Sequence, residues 1–386
     1  MSDSITHTRW AWRTWHPTAV MFFANGALIG MWATQIPAFK ERLGLEPLAL
    51  SLVLLTLAGG TALAMACSVW LIQRLGVVGS IRVSATLYCG FGILIPLAPS
   101  AVTLAMVALL FGAAGGTMNV AMNANASDVE RRSERPYMSS FHGMWSLGGF
   151  AGAGAGAPLL RTFSPAIEAL IVSVAIFGLF LWAQRGLVSS RQPAVNGHAA
   201  GKARLAVTRP ALVLGVMAIF AFSCEGVVLD WAAVYMKQTL GADSNLALMG
   251  YTAFACSMAI VRFAGDSIRH KFSARVLIGM GGLIAAFGLA IGPLSRSAEI
   301  MNIGCAIAGA GIANVAPVLF SLAGARARPE AHIATVSTLG FCGMLAAPPL
   351  LGSIAQYFGL GAIFYAGAAA VTAIALIAVS GIERVR

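Results

Sequence analysis

Acidic residues are scarce in this chain: 14 Asp and Glu against 25 Lys and Arg in 386 positions. Charged residues of both signs make up only 10%. A soluble domain carries about 25%, so this chain lacks the charge to cover a water-facing surface. Cysteine builds no framework either. Cys67, Cys89, Cys224, Cys256, Cys305 and Cys342 lie in different apolar runs, and none forms a CxxC pair. That spacing argues against a disulfide scaffold and a thiolate metal site. A glycine-rich phosphate loop with its lysine is missing, so no ATP site is expected. Clustered nucleophiles and HExxH ligands are missing as well, which argues against a membrane enzyme. No metal and no cofactor is expected, and the first residues show no cleavable signal pattern.

Apolar residues are abundant instead, at 58%, and the mean hydropathy is +0.81. They fall into twelve runs. Most are near the ~20 residues that a helix needs to cross a hydrocarbon core of ~30 Å. The expected class is an all-α membrane protein with twelve transmembrane helices. The expected layout is a cytosolic tail at 1–16 and a six-helix bundle at 17–184. A linker follows at 185–209, then a second six-helix bundle at 210–382 and a tail at 383–386.

A net charge of +11 suits a nucleic-acid partner, but its distribution argues otherwise. With the N-terminus in the cytoplasm, 20 of the 25 basic residues fall on the cytoplasmic side and 5 on the other. Such a bias sets membrane orientation. Both termini are therefore expected in the cytoplasm.

The two halves repeat each other. Asn119-Val120-Ala121 returns as Asn314-Val315-Ala316. The pattern GFxGxxxxxPLL at Gly149–Leu160 returns at Gly340–Leu351. Phe23-Ala24, Lys40 and Leu43-Gly44 return as Phe220-Ala221, Lys237 and Leu240-Gly241. Three matches in one order, at offsets of 191 to 197, argue for a tandem duplication. An even number of spans per half makes the two repeats parallel.

Six plus six spans, a basic central loop, and echoing loops after spans 2 and 8 resemble the major facilitator superfamily. The second of those loops, Gly265-Asp266-Ser267-Ile268-Arg269-His270-Lys271-Phe272, is similar to that family's glycine–aspartate–basic loop. The first, Leu71–Gly76, carries Gln73 near where an acid is usual. The SSFHGMWSLGG stretch and the Glu225-Gly226…Asp230-Trp231 stretch resemble a bacterial group distantly similar to fucose-permease-type sugar–proton symporters. The resemblance implies alternating access, and a cytoplasmic latch formed by the Gly265–Phe272 loop.

Pro210–Lys237 is long enough to span, yet it carries Glu225 and Asp230. A carboxylate there costs at least ~2.5 kcal/mol. Proton coupling is the functional reading for both, with Glu225 as the main carrier; a bonded neutral acid is the other reading for Glu225, and an acid near the outer surface is the other for Asp230. An unbroken helix points the two carboxylates ~140° apart, so a shared cavity requires a local break, for which Gly226 is placed. Trp231 reads as a substrate contact or an interfacial anchor.

In span 1, Asn25 and Trp32 are seven apart on one face, with Gln35 beside it. They read as a platform for a polar solute, or as glue and packing. Asn119 and Asn123 share a face of span 4, and Asn314 repeats the first of them. These too read as ligand contacts or as helix-to-helix bonds. Trp145 reads as cavity lining. His142 reads as a gate or as a partner of the acids at 128–134, and Arg262 with Asp266 as a local i, i+4 pair or part of the latch. Gly148, Gly152 and Gly156, like Gly112 and Gly116, form stripes that let helices approach closely.

The expected function is secondary transport of a small polar solute, a sugar or related metabolite, coupled to protons. The alternative is proton-driven efflux of apolar or drug-like compounds, and a receptor that keeps the fold is a further rival. The expected partners are a small-molecule substrate, protons and the lipid bilayer, without nucleic acid. The chain is expected to work as a monomer in the bacterial inner membrane.

Overall fold

A backbone in hydrocarbon has to satisfy its own hydrogen bonds, and uninterrupted apolar runs do so as helices. A computed structural model describes residues 2–133, 137–187, 208–265, 268, 271–324 and 329–381. Regular structure among the described residues is helical throughout. Eleven helical stretches are long and apolar enough to cross a membrane. The remaining expected span is helix α4 (Met138–Thr162), which is long enough but rich in glycine.

Helix α1 (Ser2–Arg42) starts earlier than the sequence suggests, because the expected N-terminal tail is itself helical. Helix α2 (Pro47–Leu94) carries two spans joined at Gly76, whose φ of 73° only glycine adopts freely. Helices α3 (Ala101–Ser133), α4 and α5 (Pro165–Ala183) follow. Most of the expected linker, and the whole tail at 383–386, lie outside the described residues.

The seventh span is not one helix. It runs as α6 (Arg209–Gly226), a π-helical turn (Val227–Trp231) and α7 (Ala232–Gln238). Helices α8 (Ser244–Phe263) and α9 (Ala274–Ser295) are continuous. The tenth span is also broken, into α10 (Ala298–Ile312) and α11 (Val315–Gly324). Helices α12 (Pro329–Phe358) and α13 (Gly361–Gly381) close the chain.

Contacts divide the chain into two compact units. The first holds Met1–Phe39 and Thr56–Ala199, and the second holds Lys40–Leu55 and Ala200–Arg386. In the first unit, glycines bring backbones together. A methyl group on Gly148 would sit 2.0 Å from the Phe23 carbonyl oxygen, and one on Gly152 would sit 2.1 Å from that of Ala27. One on Gly112 would sit 2.1 Å from the Leu57 carbonyl oxygen. The α1–α4 and α2–α3 contacts therefore leave no room for a side chain at these positions.

The repeated Leu-Gly pairs turn out to be the same helix stop used twice. Gly44 and Gly241 have φ of 61° and 65°. After Gly44, the Leu45 amide donates to the Lys40 carbonyl at 2.9 Å; after Gly241, the Ala242 amide donates to Met236 at 3.0 Å. Glycine supplies such left-handed caps without steric cost. Beside them, within the second unit, Lys40 Nζ donates to Gln238 Oε1 at 2.8 Å, and Lys237 pairs with Glu41. Positions 40 and 41 are the repeat equivalents of 237 and 238, so the two lysines bond reciprocally. Lys237 and Glu41 are solvated enough that their pair is worth no more than about 1 kcal/mol.

Candidate functional site

In the first unit, one asparagine ties three helices. Trp145 Nε1 on α4 donates to Asn25 Oδ1 on α1 at 2.9 Å. Asn25 Nδ2 in turn donates to the Gly115 carbonyl on α3 at 3.3 Å. Asn25 is buried, and Trp145 is half-buried. One helical turn along α3 from Asn119, Asn123 Nδ2 donates to the Asn119 carbonyl at 2.8 Å and to its Oδ1 at 3.2 Å. Both of these asparagines are half-buried.

Trp32 does not join that group. It is 1% exposed and packs on Phe39 and Phe111, with ring centroids 5.3 and 5.9 Å away. Gln35 is fully enclosed. Its Nε2 donates to the Pro165 carbonyl at 3.0 Å and to the Glu168 carboxylate. Thr34 Oγ1 donates to Glu168 as well, at 3.1 Å. The structure gives Trp32 to packing and the Gln35 amide N–H groups to a tie between α1 and α5, while Gln35 Oε1 meets no donor among the described residues. Helix α1 is enclosed around most of its circumference, so helical periodicity does not reveal which face borders a cavity.

Glu168 is the residue that sequence reasoning missed. It follows Ser164 and Pro165, and Ser164 caps α5. An acid in a first turn ordinarily answers the helix dipole at a wet surface, so nothing local signalled its full burial. Glu168→Ala would leave one Gln35 N–H without its acceptor, while Thr34 keeps the Met31 carbonyl at 2.7 Å and Gln35 keeps the Pro165 carbonyl, at a cost of about 1–3 kcal/mol. A clear drop in melting temperature of the detergent-purified protein is expected, and an unchanged melt would remove the cluster from the stability of this unit.

His142, on α4, is exposed and stands edge-on to Phe22 with centroids 5.3 Å apart.

The second unit holds the charged constellation. Glu225 lies in the last turn of α6, and the π turn begins two residues later. Arg262, near the end of α8, reaches Glu225 Oε1 at 3.1 Å. Its Nε also donates to the Ala313 carbonyl at 3.3 Å. Ala313 and Asn314 form the turn between α10 and α11. The arginine thus links the interrupted seventh span to the interrupted tenth. Asp266, the partner expected from i, i+4 spacing, lies outside the described residues. Asn314 Oδ1 lies 2.7 Å from where a methyl group on Gly265 would sit, so the end of α8 borders both residues of the turn.

Asp230 sits inside the π turn and is half-buried. Among the described residues no hydrogen bond or ion pair reaches it. Gly226 leaves it room: a methyl there would sit 3.9 Å from Asp230 Oδ2. The expected break near Gly226 is present, one residue on, as a turn that closes i to i+5 rather than i to i+4. The Tyr251 ring on α8 is buried. Trp231 is fully buried, with an indole N–H that meets no acceptor among the described residues. A side chain enclosed in this way does not serve as an interfacial anchor.

Chemically, the second unit offers a permanent cation, a carboxylate paired with it and a second carboxylate that no cation reaches among the described residues. Among the described residues no cluster of His, Cys, Asp and Glu could hold a metal ion.

Comparison with known proteins agrees with this architecture. The family profile described as Major Facilitator Superfamily matches residues 18–341. An uncharacterised MFS-type transporter of Yersinia pestis is 34% identical over 351 residues, which is 90% of each chain. An uncharacterised transporter of Sinorhizobium fredii is 31% identical, over 89% of this chain and 91% of that one. The membrane protein MosC of Rhizobium meliloti is 29% identical, over 89% and 84%. Among solved structures, the nucleoside transporter NupG, as a D323A mutant, superposes with a TM-score of 0.73 at 10% identity, over 95% of this chain and 99% of that one. The match extends over most of both halves, and this multi-pass chain belongs to the major facilitator superfamily of secondary transporters, which work by alternating access.

Proposed function

We propose that this transporter carries a small polar solute across the bacterial inner membrane, coupled to protons. The observation that carries the reading is the unequal pair of carboxylates on the seventh span. Glu225 has a guanidinium at 3.1 Å, whereas no cation reaches Asp230 among the described residues. A proton on Glu225 would have to replace an ion pair, and arginine does not give up its own proton. A proton on Asp230 displaces no such partner. We therefore assign the coupling proton to Asp230, and make Glu225 the fixed counter-charge of Arg262.

The polar character of the solute rests on the amides of the first unit. Asn119 and Asn123 are half-buried and keep hydrogen-bonding capacity beyond their mutual bonds. A solute with hydroxyl or amide groups would meet that capacity, while an apolar cargo would leave it unmet at a cost. The basic residues of the loops favour cytoplasmic termini. The assignment includes action as a monomer.

The test has two steps. Purified protein is screened by thermal shift against sugars, other polar metabolites, organic acids and drugs, since a ligand that binds the folded state raises its melting point. The stabilising solute is then added to proteoliposomes that enclose a pH-sensitive dye. The expected result is solute-dependent proton movement. A solute that is transported without moving protons overturns the coupling, and stabilisation by apolar drugs alone overturns the polar cargo.

A further inference from the structure

The break in the tenth span has a cause in the sequence. Pro317 follows Ala313 by four residues. A proline has no amide hydrogen, and its ring collides with the carbonyl four residues back. The Ala313 carbonyl is therefore deprived of its helical partner, and the chain turns at Ala313 and Asn314 before α11 begins at Val315. A freed carbonyl inside a span needs another donor. Arg262 Nε is that donor, at 3.3 Å, while its Nη2 holds Glu225 at 3.1 Å.

The first half of the chain serves as an internal control. Its copy of the motif, Asn119-Val120-Ala121, is followed by Met122 where the second copy has Pro317. Helix α3 runs through this stretch without interruption. The repeat equivalent of Glu225 is Leu28, and residues 65–67, opposite Arg262 in the repeat, carry no charge. The proline, the arginine and the carboxylate are present together in one copy and absent together from the other.

We infer that Arg262 is a positioning residue that clamps the Ala313–Asn314 turn to the seventh span, so that the charge on Glu225 helps set the placement of Asn314. Arginine suits the task because one rigid fork serves two acceptors at once, which a lysine ammonium on a flexible stem does less well. The inference does not depend on which solute is carried or on which acid takes the proton.

Hydrogen exchange of the full-length protein in lipid nanodiscs, followed by mass spectrometry, tests it without any solute. Arg262→Ala is expected to speed exchange in the peptide covering 310–319 by about tenfold, the loss of a hydrogen bond from a charged donor. Peptides from α9 should stay unchanged. Arg262→Lys should give an intermediate rise. The deciding variant is Arg262→Ala combined with Pro317→Ala. With an amide restored at 317, the helix can run through and the Ala313 carbonyl regains a partner, so protection at 310–319 should return. Should Arg262→Ala fail to fold, Arg262→Lys with and without Pro317→Ala carries the same comparison. Unchanged exchange at 310–319 in the arginine variants overturns the clamp, as does failure of Pro317→Ala to restore protection.

Discussion

Asp230→Asn is expected to abolish accumulation of the solute against its gradient and to leave exchange of preloaded solute running. Asparagine keeps the size of the side chain and its place in the π turn, but cannot take up and release a proton. One proton moved down one pH unit supplies about 1.4 kcal/mol, which supports about a tenfold concentration ratio. The variant should fall to a ratio of about one. Exchange needs only the reorientation of the loaded carrier, so it should survive. Glu225→Gln should behave differently. It strands the Arg262 guanidinium and weakens the clamp on the tenth span, so accumulation and exchange should both suffer. Uptake and counterflow in proteoliposomes separate the two. Full accumulation by Asp230→Asn would take that residue out of the coupling, whatever happens at Glu225.

Gly152→Leu is expected to prevent the first unit from assembling. Even the first carbon of the new side chain would lie 2.1 Å from the Ala27 carbonyl oxygen and 2.9 Å from its Cα. These are backbone atoms of a packed helix, so no rotamer change relieves the clash. The neighbouring contacts forbid a simple slide, since a methyl group on Gly26 or Gly30 of α1 would sit 2.0 or 2.4 Å from the Trp145 or Gly149 carbonyl oxygen of α4. Overpacking of a tolerant core costs ~1–3 kcal/mol; a rigid backbone contact should exceed about 4 kcal/mol, the range in which single changes unfold proteins. Gly59→Leu provides the contrast, because a side chain there meets nothing within 4 Å. Size-exclusion profiles in detergent should show aggregate for Gly152→Leu and a normal peak for Gly59→Leu. A normal peak for both would mean that the stripe on α4 does not govern assembly.

The glycine stripe shows how much of the fold could be read from the sequence. Four-residue spacing of glycines has one efficient use between apolar helices, and Gly148 and Gly152 serve it. Asn25 stood out as a polar group in a span, which has to find a partner, but that its partner is Trp145 came only with the structure. The surroundings of Trp32 and Gln35 could not be read from periodicity, which locates a buried face only when another face is exposed, and α1 offers little exposure over those turns. Glu168 escaped notice because its neighbours, Ser164 and Pro165, are ordinary signs of a helix start.

By itself the sequence determined the class, the helices and the duplication, since these follow from hydropathy, loop charge and self-similarity. Only the tertiary structure decided that Arg262 reaches back 37 positions to Glu225 and across to Ala313, while no cation reaches Asp230 among the described residues. Spacing along a chain reports which side chains share a helix face. Charge pairing inside a membrane depends on which helices lie side by side, and that is set by the packing of the whole unit.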